Sequence, residues 1–254
     1  MKTLIEKRGA VTIVTINRPE CRNAVDHETS RQLIVAFQAF ESDPESSVAI
    51  LTGTGQAFCA GYDLKTVSAG HNLNQPDGDG PMGPTRLLLS KPVIAAVEGH
   101  AVAGGLELAL WCDLRVASQT AVFGVFCRRW GVPLIDGGTV RLPRLIGHSR
   151  ALDMILTGRP ISADEALSFG LANRVVPGGG ALEAALELAD QIAQFPQVCL
   201  RTDRMTSYRQ WGEDIADALR MEGIAGQEPL KAEATAGASR FAAGLGRGGD
   251  FGRI

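Results

Sequence analysis

Two short glycine-bearing stretches hold the residues best suited to chemistry in this chain. They are Phe58-Cys59-Ala60-Gly61-Tyr62-Asp63-Leu64 and Gly99-His100-Ala101-Val102-Ala103-Gly104-Gly105-Leu106-Glu107-Leu108. Each follows an apolar run that reads as a buried strand, residues 48–52 and 93–97, and each leads into a helix-like stretch. Backbone N–H groups at such turns point outward without a partner. Two of them aimed at one point form an oxyanion hole, which stabilises a carbonyl oxygen as it gains negative charge. Glu107 lies one helical turn beyond Gly104, so its carboxylate can face the same point. Asp136 is a second acid, set in the apolar run Val132-Pro133-Leu134-Ile135 directly before Gly137-Gly138-Thr139.

The elements that must position these groups alternate between strand and helix. Residues 4–16 read as a hairpin around Gly9, with Val11, Ile13 and Val14 of strand character. Residues 26–41 read as a helix capped by Asp26, with an apolar stripe at Leu33, Ile34, Phe37 and Phe40. Strands 48–52, 93–97 and 114–117 follow, interleaved with the two turns, which predicts an α/β fold. Residues 68–85 are rich in Gly and Pro and poor in large apolar side chains; they read as a mobile surface loop, either a lid over the site or a disordered linker. From Gly138 onward the pattern is helical: 149–157 ending at Gly158, a capping box at Ser162-Ala163-Asp164-Glu165, then 181–194 and 215–241. The Gly- and Arg-rich tail, 242–254, is expected to fray.

Composition removes several classes of function. A net charge of −3 over 254 residues gives no basic field for nucleic acid. No apolar stretch is long enough to cross a membrane, and the charged start followed at once by a strand is unlike a signal peptide. The five cysteines, 21, 59, 112, 127 and 199, form no Cys-x-x-Cys pair. That pattern points to reduced thiols in the cytoplasm and to neither a disulfide framework nor a metal site.

Taken in order, the motifs resemble the crotonase, or enoyl-CoA hydratase/isomerase, superfamily. The resemblance rests on Asn17-Arg18-Pro19 with Arg22-Asn23-Ala24, on Ala57-Phe58-Cys59-Ala60-Gly61-Tyr62-Asp63-Leu64, on Lys91-Pro92-Val93 through Gly99, and on Ala103-Gly104-Gly105-Leu106-Glu107. It continues through Phe123-Gly124 and through Gly137-Gly138-Thr139 to Gly147. It spans nearly the whole chain, although no single motif is decisive. It implies a spiral of ββα units over residues 1–195 with a C-terminal helical oligomerisation region over 196–254, assembled as trimers or hexamers. It implies an acyl-CoA thioester substrate from fatty-acid-type metabolism, a lyase or isomerase reaction, and no prosthetic group. The same fold also hosts hydrolases of carbon–carbon or thioester bonds, and a homologue that binds acyl-CoA without turnover is the remaining alternative.

Residue by residue, the resemblance assigns the oxyanion donors to the N–H groups of Ala60 and Gly104. It assigns one hydratase glutamate to Glu107; the plain alternative is a glutamate that caps or pairs locally. The second hydratase glutamate belongs three residues after Gly124, where this chain has Cys127; a thiol is no substitute for a carboxylate at neutral pH without strong perturbation. Cys127 is then a small packed residue or, less simply, a nucleophile. Relatives such as dienoyl-CoA isomerase and chlorobenzoyl-CoA dehalogenase place an aspartate three residues before this threonine as base or nucleophile, which makes Asp136 the compensating acid. Its alternative role is to cap the following helix. Tyr62, Cys127, Arg128 and Trp130 are candidate pocket residues, the arginines alternatively forming a salt-bridged face. Coenzyme A is expected against Arg22, Ala24, Ala60, Asp63 and Leu64, with Arg247 standing where relatives often carry a phosphate-gripping lysine. His100 is expected to be structural and His71 to be a loop residue.

Overall fold

The computed structural model describes residues 1–68 and 76–250, so His71 and the end of the tail lie outside the described residues. In chain order, β1 (Thr3–Arg8), β2 (Val11–Ile16), α1 (His27–Ser42), β3 (Val48–Gly53) and α2 (Leu64–Ser68) lead to β4 (Val93–Val97) and β5 (His100–Val102). Then come α3 (Gly104–Trp111), β6 (Leu114–Ser118), β7 (Val122–Gly124), α4 (Gly138–Ile146), α5 (His148–Thr157), β8 (Ile161–Ser162), α6 (Ala163–Phe169), β9 (Arg174–Val176) and α7 (Ala181–Ala193). The helices α8 (Gln197–Arg209), α9 (Ile215–Ala225), α10 (Gln227–Pro229) and α11 (Thr235–Ala242) complete the described chain.

Among the described residues the main sheet runs β1-β2-β3-β4-β6-β9, and a smaller one runs β5-β7-β8. The hairpin β1–β2 is antiparallel and turns at Gly9, where φ is +56°. The pairs β2–β3, β3–β4, β4–β6 and β6–β9 are all parallel. Parallel strands are covered on both faces and read as continuous apolar runs, which is how Val-Ala-Ile-Leu and Val-Ile-Ala-Ala-Val appear in the sequence. The period of two divides their side chains between two cores. Val14, Leu51, Ala95 and Val97 join Leu33 and Phe37 of α1 and Leu106 of α3 on one face. Ile13, Ile50, Ile94 and Val116 join Ala185, Leu186 and Ala189 of α7 on the other. Asp26 caps α1 by accepting the Thr29 N–H at 2.9 Å.

Leu182, Leu186 and Ile192 of α7 pack on this chain's own sheet, covering a face that would otherwise be bare. Two expectations are corrected. The expected helix over 215–241 is interrupted: α9 ends before Gly226, and a π-helical turn, Leu230–Ala234, follows Pro229, which has no N–H to continue the ladder. Gly80 to Thr85 is not a surface loop: every residue in it is buried. Its glycines mark close approach: a Cβ on Gly80 would stand 2.4 Å from Asp136 Oδ1, and Gly83 has φ +97°. The helix α8, which the sequence pattern did not mark, is fastened to the core by Asp113, whose Oδ1 accepts from Arg204 Nε at 2.8 Å and Tyr208 Oη at 2.7 Å.

Candidate active site

The two glycine turns interlock. Cys59 N–H donates to the His100 carbonyl at 2.9 Å, and Val102 N–H returns to the Cys59 carbonyl at 3.1 Å. A Cβ on Gly61 would stand 2.9 Å from Gly104 N, and one on Gly105 would stand 2.1 Å from Cys59 O, so both positions exclude any larger residue. Ala103, at the cap of α3, has φ +54° and ψ −126°, a region that L side chains rarely occupy. That strained corner leads into Gly104, which opens α3, where an N–H has no partner within the helix, and which lines the cavity described below.

The first turn corrects one assignment. The Ala60 N–H, expected as an oxyanion donor, is committed to the Arg22 carbonyl at 3.0 Å. Gly61 N–H lies against Cys59 Sγ at 3.4 Å. Val25 N–H donates to the Gly61 carbonyl and Asp63 N–H donates to the Val25 carbonyl, each at 2.8 Å. This is a parallel bridge between Val25 and Tyr62 in which Val25 makes both bonds. Tyr62 therefore directs its own N–H to the opposite side, away from Val25.

Both candidate acids are buried, Glu107 at 2% exposure and Asp136 at 3%. Glu107 Oε1 accepts the backbone N–H of Asp136 at 2.9 Å and of Gly138 at 2.8 Å. A Cβ on Gly138 would stand 2.9 Å from that oxygen, so the glycine is what lets the carboxylate dock. Asp136 Oδ1 accepts from Met82 N at 3.0 Å and from Thr85 Oγ1. Each carboxyl thus places these bonds on one oxygen. Burial, and then the neighbouring Asp136, push Glu107 up to about 7, against the pull of the two N–H groups and Arg141. Burial likewise raises Asp136, opposed by Thr85, Met82, Arg86 and Arg141. Asp136 does not cap α4, whose cap is Gly137 with no side-chain bond; its carboxyl instead ties down the buried 80–85 segment.

A cavity of about 670 Å³ brings together Glu107, Asp136, Gly104, Tyr62 and Cys127, with Ala60, Arg22 and Leu64 also on its wall. Trp130, expected there, lines it and is 65% exposed. Arg128 does not line it: its Nε donates to the Ile155 carbonyl at 2.9 Å, and Arg129 takes the position instead. His100, expected to be structural, lines the cavity too. Ala24 and Asp63 do not line it; the Ala24 carbonyl and the Asp63 carboxylate both hold the Arg18 guanidinium, Asp63 at 3.1 Å. Cys127 is 6% exposed, and burial followed by the charge of Glu107 pushes its thiol up, which disfavours a thiolate. Arg247 lies over the Phe241 ring at 5.1 Å.

Sequence reasoning missed Met82, Thr85 and Arg141. Arg141 donates to the Asp136 carbonyl at 2.9 Å and the Thr85 carbonyl at 2.6 Å, stitching the 80–85 segment to the start of α4. The available signal was the glycine pair Gly80 and Gly83, which marks close approach: a Cβ on Gly80 would meet Thr85 and Asp136, and one on Gly83 would meet Ser30 and Leu33.

Residues 6–222 match the enoyl-CoA hydratase/isomerase family profile. The chain belongs to this family. An enoyl-CoA hydratase of Mycobacterium tuberculosis is 45% identical over 218 residues, 80% of each chain. A carnitinyl-CoA dehydratase of Proteus mirabilis is 43% identical over 192 residues, 73% of this chain and 72% of that one. The crystal structure of an enoyl-CoA hydratase from Mycobacterium marinum superposes with a TM-score of 0.90 at 36% identity, covering 95% of this chain and 96% of that one. This member of the enoyl-CoA hydratase/isomerase family is therefore an enzyme with the crotonase fold and a C-terminal helical region. No helix among its described residues is long and apolar enough to cross a membrane.

Proposed function

We propose that this enzyme adds water to the double bond of a 2-enoyl-CoA, and runs the reverse dehydration, in the cavity between the two turns. The observation that carries the reading is that Gly104, at the start of α3, and two buried acids, Glu107 and Asp136, line one cavity. The thioester oxygen accepts from Gly104 N–H and from Tyr62 N–H, the amide that the Val25 bridge turns away from Val25. Negative charge gathers on that oxygen as hydroxide adds to the β-carbon, and the donors are worth most at that moment. Glu107, with one oxygen held by two N–H groups, uses the other to take the proton from water. Asp136, whose hold on its proton burial strengthens, supplies the proton to the α-carbon in the place of the glutamate that Cys127 has displaced. Coenzyme A enters past Arg22 and Leu64. The fit of acyl-CoA needs no prosthetic group, because every proton moves between water, carboxyl and substrate.

Incubation with crotonyl-CoA, read by mass spectrometry, tests this: the product should carry one added water and intact CoA. Cys127 favours a second reading, double-bond isomerisation, because moving one proton along a chain requires one acid–base group and not two. An unchanged mass with a relocated double bond from a 3-enoyl-CoA, and no hydration of crotonyl-CoA, would establish that reading instead.

A further inference from the structure

One wall of the cavity carries positive charge without a counter-ion. Phe126, Arg129 and His100 all line it. The Arg129 guanidinium lies over the Phe126 ring, 4.8 Å from its centroid. The His100 ring meets the same phenyl edge-on at 6.5 Å between centroids. Among the described residues neither side chain has an ion pair or hydrogen bond, whereas the nearby Arg159 is held by Asp153 and Glu165 at 2.7 and 2.6 Å. Stacking on an aromatic face holds a guanidinium in place without using its donor fork. That fork is what recognises a carboxylate, in a bidentate geometry.

The position is at the acyl side. Ala60, Tyr62 and Leu64, on the thioester and CoA side in the reading above, come from the first turn, and the Arg22 carbonyl is bonded to Ala60 N–H at 3.0 Å. Phe126 and Arg129 come from the 3-10 turn Phe126–Trp130, whose Cys127 is close enough to Glu107 to feel its charge. The two cavity carboxyls are each raised toward the neutral form, so they oppose an incoming anion less than two free carboxylates would.

We infer that Arg129, assisted by His100, selects acyl-CoA substrates whose acyl chain ends in a carboxylate and disfavours those ending in a quaternary ammonium. The inference rests on the reading that acyl-CoA occupies this cavity.

Three saturated thioesters of like length separate the charge effect from catalysis: butyryl-CoA, glutaryl-CoA and butyrobetainyl-CoA, with uncharged, anionic and cationic ends. Their dissociation constants are measured by calorimetry on the wild-type protein and on Arg129→Gln and His100→Gln. Wild type should bind glutaryl-CoA about tenfold or more tightly than butyryl-CoA, the low end for a hydrogen bond to a charged group, with butyrobetainyl-CoA weakest. Arg129→Gln should bring the glutaryl-to-butyryl ratio close to one, and His100→Gln should narrow it by less. A wild-type ratio near one, or a preference for the cation, overturns the inference. So does an Arg129→Gln variant that weakens all three equally, which would put Arg129 on the CoA phosphates. Crotonyl-CoA hydration by the same wild-type sample separates the two failures: turnover with no charge preference sinks only this inference, while neither turnover nor binding sinks the functional reading with it.

Discussion

Glu107 accepts the backbone N–H of Asp136 at 2.9 Å while the Asp136 carboxyl turns away to Met82 and Thr85. Two acids separated by 29 residues thus share one cavity without sharing a proton directly. Their charges still interact, so the pair titrates in macroscopic steps that belong to both.

The elevated Glu107 links stability to pH. Its folded value of about 7 stands above the ordinary 4.5, so the folded state holds a proton that the unfolded chain releases. Stability from this group falls as pH rises from about 4.5 to about 7 and is level above that. Glu107→Gln retains an oxygen for the two N–H groups and removes the titration. Thermal melts at pH 5 and pH 8 should show the variant losing less stability across that interval than the wild type. An identical loss in both proteins would contradict the shift.

Asp136→Asn keeps an acceptor for Met82 N–H and Thr85 Oγ1 but cannot exchange a proton. The variant should fold and bind butyryl-CoA, while crotonyl-CoA turnover falls about 10²-fold or more, the low end for general acid–base catalysis. Thr85→Val is the comparison, because it cuts the same latch and leaves the acid. Activity retained in Asp136→Asn would leave Asp136 as a structural tie for the 80–85 segment.

Most of the framework was legible in the sequence because its signals are local. The Gly9 hairpin, the Asp26 cap and the Ser162 cap each depend on neighbours within a few residues, and the strand runs around Ile50 and Ile94 declare burial on both faces. Glu107 and Gly104 were legible because the helix that carries them sets their spacing. Ala60 was misread because its N–H is taken by the Arg22 carbonyl, a partner far along the chain. The 80–85 segment was misread because its Gly content resembles a flexible loop, whereas Gly80 admits Thr85 and Asp136 and Gly83 admits Ser30 and Leu33. Arg128 and Arg129 differ by one position in a 3-10 turn, and composition cannot tell which faces the cavity.

Ala103 offers a test of stored strain. Its positive φ costs an L residue on the order of 1–3 kcal/mol, and glycine would relieve that while adding about 0.5–1 kcal/mol of unfolded-state entropy. Ala103→Gly should therefore match or exceed the wild-type midpoint in urea, and Ala103→Val should fall below it. A clear loss of stability in Ala103→Gly would refute the strain assignment.

Beyond the docked α8, the C-terminal helices leave apolar residues in the open. Ile215 and Leu219, one turn apart on α9, are 76% and 60% exposed. We propose that this face joins subunits, giving a trimer or hexamer. Sedimentation of the wild type at micromolar concentration should show an oligomer, and Leu219→Glu should shift it toward smaller species. A monomeric wild type would contradict the proposal.

The most direct measurement follows oxygen. Crotonyl-CoA is incubated in water enriched in heavy oxygen with wild type and with Glu107→Gln, and the thioesters are resolved by mass spectrometry. The account predicts a 3-hydroxyacyl-CoA carrying one heavy oxygen from the wild type, and at least about 10²-fold slower formation from Glu107→Gln. No labelled product from the wild type, or labelled product formed equally fast by both proteins, would contradict it.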